Sequence, residues 1–193
     1  VSIDAEPIVV TLRVAAELER LGVEYLVGGS LASSVHGLPR TTQDVDMVAS
    51  IAGRHVRDLV SALEQEFYID AEMISDAIRR RASFNIIHLA TMLKVDIFVL
   101  GGDALGQEEM KRRVLVPLRD TKIWFASAED IVLQKLDWYR KGHGISERQW
   151  KDVVGVIAVQ GPLFDLDYAR AWAERLALTE LLDRALAEAS LDE

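Results

Sequence analysis

Between Tyr25 and Val48 the chain runs through an apolar triplet, a glycine pair, a small-residue segment, a polar loop and an alternating segment. Few folds accept that order. Tyr25–Val27 reads as a short strand that stops at Gly28-Gly29, because glycine pairs punctuate strands. Ser30 suits the N-cap of a small-residue helix over 31–36. Gly37, Pro39 and Thr41-Thr42 then break the chain before 44–48, where polar and apolar residues alternate as in a half-buried strand. Residues two apart on a strand share a side, so Asp44 and Asp46 present their carboxylates together. Like charges so placed repel unless a cation lies between them. Oxygen-only ligands select hard cations, chiefly Mg²⁺ or Mn²⁺. A Gly28-Gly29-Ser30 turn at a helix start offers N–H groups, a hydroxyl and the positive dipole end to a phosphate. Together the two features make a candidate site for a metal-bound nucleotide.

The chain before and after this stretch supplies the scaffold. Residues 8–21 carry Ile8, Leu12, Ala15 and Leu18 at helical spacing and stop at Gly22. A crossover helix is expected over 54–67, a short strand at 68–69, and a helix over 71–80 whose end leads into the basic run Arg79-Arg80-Arg81. That run reads as a solvated loop, with a substrate-phosphate contact as the sharper alternative. The β-branched segments 84–88 and 94–100 read as strands joined by 89–93. Asp96 interrupts the second of them, where a carboxylate needs a partner: a metal held by Asp44 and Asp46 would be that partner, with a structural salt bridge as the alternative. A short helix over 103–111 follows, then a hairpin of 114–118 and 122–125 across Arg119-Asp120-Thr121.

From Ser127 onward only helices are expected. Ser127 and Asp130 have capping-box spacing at the start of 128–141. On that helix Lys135 sits inside an apolar stripe of Ile131, Val132, Trp138 and Tyr139, either snorkelling to solvent or facing a buried anion. Ser146 caps the next helix, which carries Arg148 and Asp152 four apart. Two amphipathic helices over 167–176 and 179–189 close the chain. The boundaries expected are 1–126 for an α/β domain with a mixed sheet and flanking helices, and 127–193 for a helical subdomain.

Composition bounds the reading. The 193 residues suffice for a real core. No apolar run is long enough for a membrane helix, and no signal peptide is expected. The absence of cysteine rules out disulfides, thiolate metal sites and cysteine nucleophiles, and fits a reducing cytoplasm. With 31 acidic against 22 basic residues, net charge −9, extended duplex DNA is a poor partner.

Gly28-Gly29-Ser30 followed by Ala32, Gly37, Arg40, Thr42 and Asp44-Val45-Asp46 resembles the signature of the polymerase-β-like nucleotidyltransferase superfamily. In the fuller string it is similar to the AbiEii-like branch, which includes toxins of bacterial toxin–antitoxin and phage-defence systems. The resemblance implies the nucleotidyltransferase fold and Mg²⁺-dependent transfer of NMP from an NTP, with pyrophosphate leaving. It implies two metals bridged by Asp44 and Asp46, with the third carboxylate, Asp96, on a later strand. Gly28, Gly29 and Ser30 would hold the outer phosphates, with Arg40 near the nucleotide, although the residue pattern equally allows Arg40 a simple salt bridge. Lys135 would lie on a recurring Glu-Asp-x-x-x-x-Lys-Leu helix facing the active cleft, and Arg148, Lys151 and Asp152 match a further string, which reads as salt-bridging within the helical subdomain or as substrate contact. It implies a tRNA or protein acceptor and an antitoxin partner, while the chain's size also allows a small-molecule acceptor. Two other readings stand beside it. One is a catalytically silent nucleotide-binding or protein-interaction module of the same fold. The other is an Asp-x-Asp transferase acting on sugar nucleotides, which the upstream glycine turn disfavours.

Overall fold

A computed structural model describes residues 6–118 and 120–190. Arg119, at the turn of the expected hairpin, lies outside the described residues. The chain divides into two compact units. Val1–Gly28 with Thr41–Ala126 forms one, and Gly29–Arg40 with Ser127–Glu193 forms the other.

The first unit holds a seven-stranded mixed sheet. Its strands are β1 (Tyr25–Val27), β2 (Asp44–Ala49), β3 (Phe67–Tyr68), β4 (Ser83–His88), β5 (Lys94–Val99), β6 (Val114–Leu118) and β7 (Thr121–Phe125). They are ordered β3-β4-β5-β2-β1-β7-β6. β2 lies at the centre, antiparallel to β1 and parallel to β5. Alternation along β2 and β5 sends Val45, Met47, Ala49, Val95, Ile97 and Val99 into the core, and leaves Asp44, Asp46, Lys94 and Asp96 together on the other face. Helices α1 (Glu6–Arg20) and α3 (Gly53–Leu63) bury Leu18, Leu59 and Leu63, and α4 (Ala71–Arg80) adds Ile74. The crossover helix ends at Leu63, short of the expected 67, because Phe67 joins the sheet opposite His88 and is buried there. Asp70 caps α4 by accepting from the Met73 N–H, and Asp103 caps α5 (Ala104–Arg112) by accepting from Gly106. Arg79 and Arg80 lie in the last turn of α4, not in a loop, and pair with Asp76.

The second unit is helical: α2 (Gly29–His36), α6 (Ala128–Lys141), α7 (Glu147–Gln160), α8 (Leu166–Arg175) and α9 (Thr179–Ala189). Leu133, Leu136, Trp150, Val153, Val156 and Leu182 form its core. Ser127, Ser146 and Asp165 cap α6, α7 and α8 through side-chain oxygens. The small residues of α2 let it pack closely on α6 and α7. Among the described residues no helix is long and apolar enough to cross a membrane.

Candidate active site

In the first unit the sheet register decides the arrangement. Asp46 stands directly opposite Asp96, and Asp44 directly opposite Lys94, on two adjacent parallel strands. Neighbouring strands lie about 4.8 Å apart and residues two apart on a strand about 6.6 Å, so three carboxylates and one ammonium share one patch of one sheet face. Asn85 of β4 stands opposite Asp96 on the far side. All three carboxylates are half-buried. Thr42 donates its hydroxyl to Asp44 Oδ1 at 2.9 Å, which fixes the first carboxylate before the strand begins.

The partner of Asp96 is Lys94, whose Nζ lies 2.6 Å from Oδ2. This hydrogen bond is the foremost reason the Lys94 ammonium is held above the ordinary lysine range. Partial burial opposes it, and the charges of Asp96, Asp44 and Asp46 add to it. Sequence offers a metal or a structural salt bridge as the partner of Asp96, and the strand's own lysine supplies the ion pair. Among the described residues no three His, Cys, Asp or Glu side chains form a ready metal-ligand group. The donor set nevertheless fits a hard divalent cation in chemistry and backbone placement: it offers only carboxylate oxygens, on one face and in register, and it already holds a cationic group.

Gly28 ends β1, and its N–H donates to the Asp46 carbonyl at 2.8 Å. That N–H therefore extends the sheet ladder and is not open to a phosphate, contrary to the expectation from the glycine turn. Gly29 follows at φ +56°, a left-handed conformation that favours glycine.

The second unit gathers the remaining candidates. Ser30 lies inside α2, not at its N-cap, and its Oγ accepts a hydrogen bond from Arg40. Arg40 closes a two-pronged pair with Asp152 of α7, Nε to Oδ1 and Nη2 to Oδ2, both at 2.8 Å. Lys135 of α6 is 3 % exposed, with Nζ 2.8 Å from Asp152 Oδ2 and 2.9 Å from Gln149 Oε1. Its side chain is buried against an anion and does not snorkel. Burial by itself would raise the Asp152 pKa and is the largest influence on it. The hydrogen bonds and charges of Arg40 and Lys135 together outweigh burial and hold the carboxyl below its ordinary range. Two cations thus share the one Asp152 carboxylate, and one of them, Arg40, also donates to the Ser30 hydroxyl.

The other candidates separate. Arg148 and Lys151 are exposed, whereas Asp152 on the same helix is not. Glu129 Oε1 accepts from the Asp165 N–H at 2.9 Å, and Asp130 accepts from the Tyr168 hydroxyl at 2.6 Å, so both bind α6 to the start of α8. Sequence reasoning weighed Asp152 between a salt bridge within the helical subdomain and a substrate contact, without naming these partners, and did not single out Gln149. The one legible signal was the placement of Asp152 four residues after Arg148. Nothing local in the sequence announces that Arg40, more than a hundred residues earlier, pairs with it.

No protein-family model matches the chain. No curated protein matches it either. Solved structures share its fold. An antigenic nucleotidyltransferase-like protein from Paracoccidioides brasiliensis aligns over 95% of this chain and 93% of its own at 16% identity, TM-score 0.57. The lincosamide antibiotic adenylyltransferase LnuA, solved with lincomycin bound, aligns over 77% and 95% at 14% identity, TM-score 0.52. ANT(2")-Ia, solved in complex with adenylyl-2"-tobramycin, aligns over 86% and 96% at 11% identity, TM-score 0.57.

Proposed function

We propose that this chain, which has the nucleotidyltransferase fold, transfers a nucleoside monophosphate from an NTP to an acceptor, with pyrophosphate leaving. The observation that carries the reading is the register of β2 against β5, which sets Asp44, Asp46 and Asp96 on one sheet face. Mg²⁺ or Mn²⁺ held by these three carboxylates would neutralise the triphosphate and stabilise the charge that develops at the α-phosphorus. Asp96 takes the proton of the acceptor hydroxyl as its oxygen bonds to that phosphorus and the bond to the β-phosphate breaks. Gly29 and Ser30 bind the outer phosphates at the first turn of α2. Gly28 contributes the close approach of the turn, its N–H being held by Asp46. The resemblance would have Arg40 and Lys135 offset phosphate charge, and Asp152 holds both cations.

Two acceptor classes follow from different supports. The AbiEii-like resemblance favours tRNA or protein, with the chain acting as a toxin restrained by an antitoxin. The neighbours solved with lincomycin and with adenylyl-2"-tobramycin favour a small hydroxylated molecule. A nucleotide-binding module without transfer is the alternative to both.

The test is label transfer from each α-labelled NTP with Mg²⁺, offered total RNA, cell protein, and a panel of lincosamides and aminoglycosides. The native chain is expected to label one acceptor class and release pyrophosphate, and Asp46→Ala to do neither. Metal-dependent nucleotide binding without transfer would establish the binding module. Absence of both transfer and binding would overturn the carboxylate reading itself.

A further inference from the structure

We propose that Lys94 is the resident counter-cation of Asp44, Asp46 and Asp96, and that a divalent metal ion binds these carboxylates by displacing its ammonium. The inference rests on the carboxylate reading above and concerns how the site changes between its two cations. Three carboxylates on neighbouring same-face positions, about 4.8 Å apart across the strands and about 6.6 Å along them, repel unless a cation compensates them. Lys94 supplies the compensation from inside the patch. It precedes Asp96 by two residues on β5 and so points to the same side, and it stands in register with Asp44. Its Nζ lies 2.6 Å from Asp96 Oδ2, on the sheet face that also carries Asp44 and Asp46.

Two further features make it a displaceable cation and not a fixed one. The Lys94 side chain is 47% exposed, while that of Asp96 is 21% exposed, so the ammonium can swing to water without burying a charge. Lysine is also a compact, flexible point charge, with none of the two-pronged geometry that holds Arg40 on Asp152. A divalent ion brings twice the charge to the same oxygens, and Lys94 and the metal therefore compete. The ammonium keeps the carboxylates gathered when no metal is bound, and it sets the concentration at which metal enters.

The experiment measures Mn²⁺ binding to the full chain from the loss of the free-ion signal in electron paramagnetic resonance. Native protein, Lys94→Met, Lys94→Arg and Asp46→Ala are compared, with melting temperatures recorded in chelator and in Mn²⁺. Lys94→Met keeps the length of the stem and removes the charge. It is expected to bind Mn²⁺ about tenfold or more tightly than the native chain, as removal of a like charge a few ångströms from the ion implies. It should melt below the native protein in chelator and recover in Mn²⁺. Lys94→Arg, which keeps the charge and can grip a carboxylate with two prongs, should bind Mn²⁺ no more tightly than the native chain, and Asp46→Ala should lose binding. A structural ion pair would give the lower melting temperature but no gain in affinity. Native binding with equal or weaker binding by Lys94→Met would overturn the counter-cation role and leave the metal site standing. No Mn²⁺ binding by native or Lys94→Met protein would overturn the carboxylate reading, and this proposal with it.

Discussion

At Asp152 burial and two cations act in opposite directions, and the cations win. A carboxyl held below its ordinary pKa contributes stability that is fully present above its unfolded value, about 4. That contribution is lost as pH falls through the lower folded value. Asp152→Asn should lower stability by about 3 kcal/mol at neutral pH, because it leaves the buried Lys135 ammonium without its counter-charge. The gap in melting temperature between native and variant should be constant from neutrality to about pH 5 and should shrink below about pH 4, where the unfolded carboxyl takes up its proton before the native one does. A thermal melt series of both proteins across that range checks the sign. A gap that widened toward acid pH would mean that the carboxyl is raised and not lowered. The carboxylates of β2 and β5 were legible at this scale because strand alternation dictates which side each faces. The role of Asp152 was not, since charge pairing across distant segments leaves no periodic trace.

At the scale of elements, α2 explains why its sequence is so rich in small residues. A Cβ built on Gly37, just past its end, would come within 2.9 Å of both the Val156 backbone nitrogen and its Cγ2. Backbone cannot yield as a side chain tip can, so α7 must shift for anything larger than glycine to fit. Gly37→Ala should therefore cost about 1–3 kcal/mol, the usual range for overpacking. Chemical denaturation should show it as a lower midpoint with unchanged slope. The same packing draws Ser30 inside the helix and turns its hydroxyl toward Arg40. Serine is a favoured N-cap, but here the glycine pair ahead of it takes the turn. Gly29, at φ +56°, can begin the helix in a conformation that serine would find strained.

Across the whole molecule, residues Gly29–Arg40 belong with the C-terminal helices, although β1 and β2 flank them in sequence. Stability should therefore travel with the helical unit. Leu133 is fully buried in that unit's core, and Leu133→Ala should cost about 2–5 kcal/mol. Native-state hydrogen exchange should then show α2 losing protection together with α6 and α7, and not with its sequence neighbour β2. Exchange in α2 that followed β2 would contradict the grouping.

The sequence by itself determined the order of strands and helices, the carboxylates on one sheet face, and the glycine turn ahead of a short helix. Those features come from period-two and period-3.6 patterning and from turn chemistry, all written within a few residues. Tertiary structure alone decided what pairs with what. It set Asp46 opposite Asp96 and Asp44 opposite Lys94, gave the Gly28 N–H to Asp46, and brought Arg40 and Lys135 to one carboxylate. The physical reason is that local patterning fixes the direction of a side chain, whereas a partner far along the chain is fixed only by strand register and helix packing.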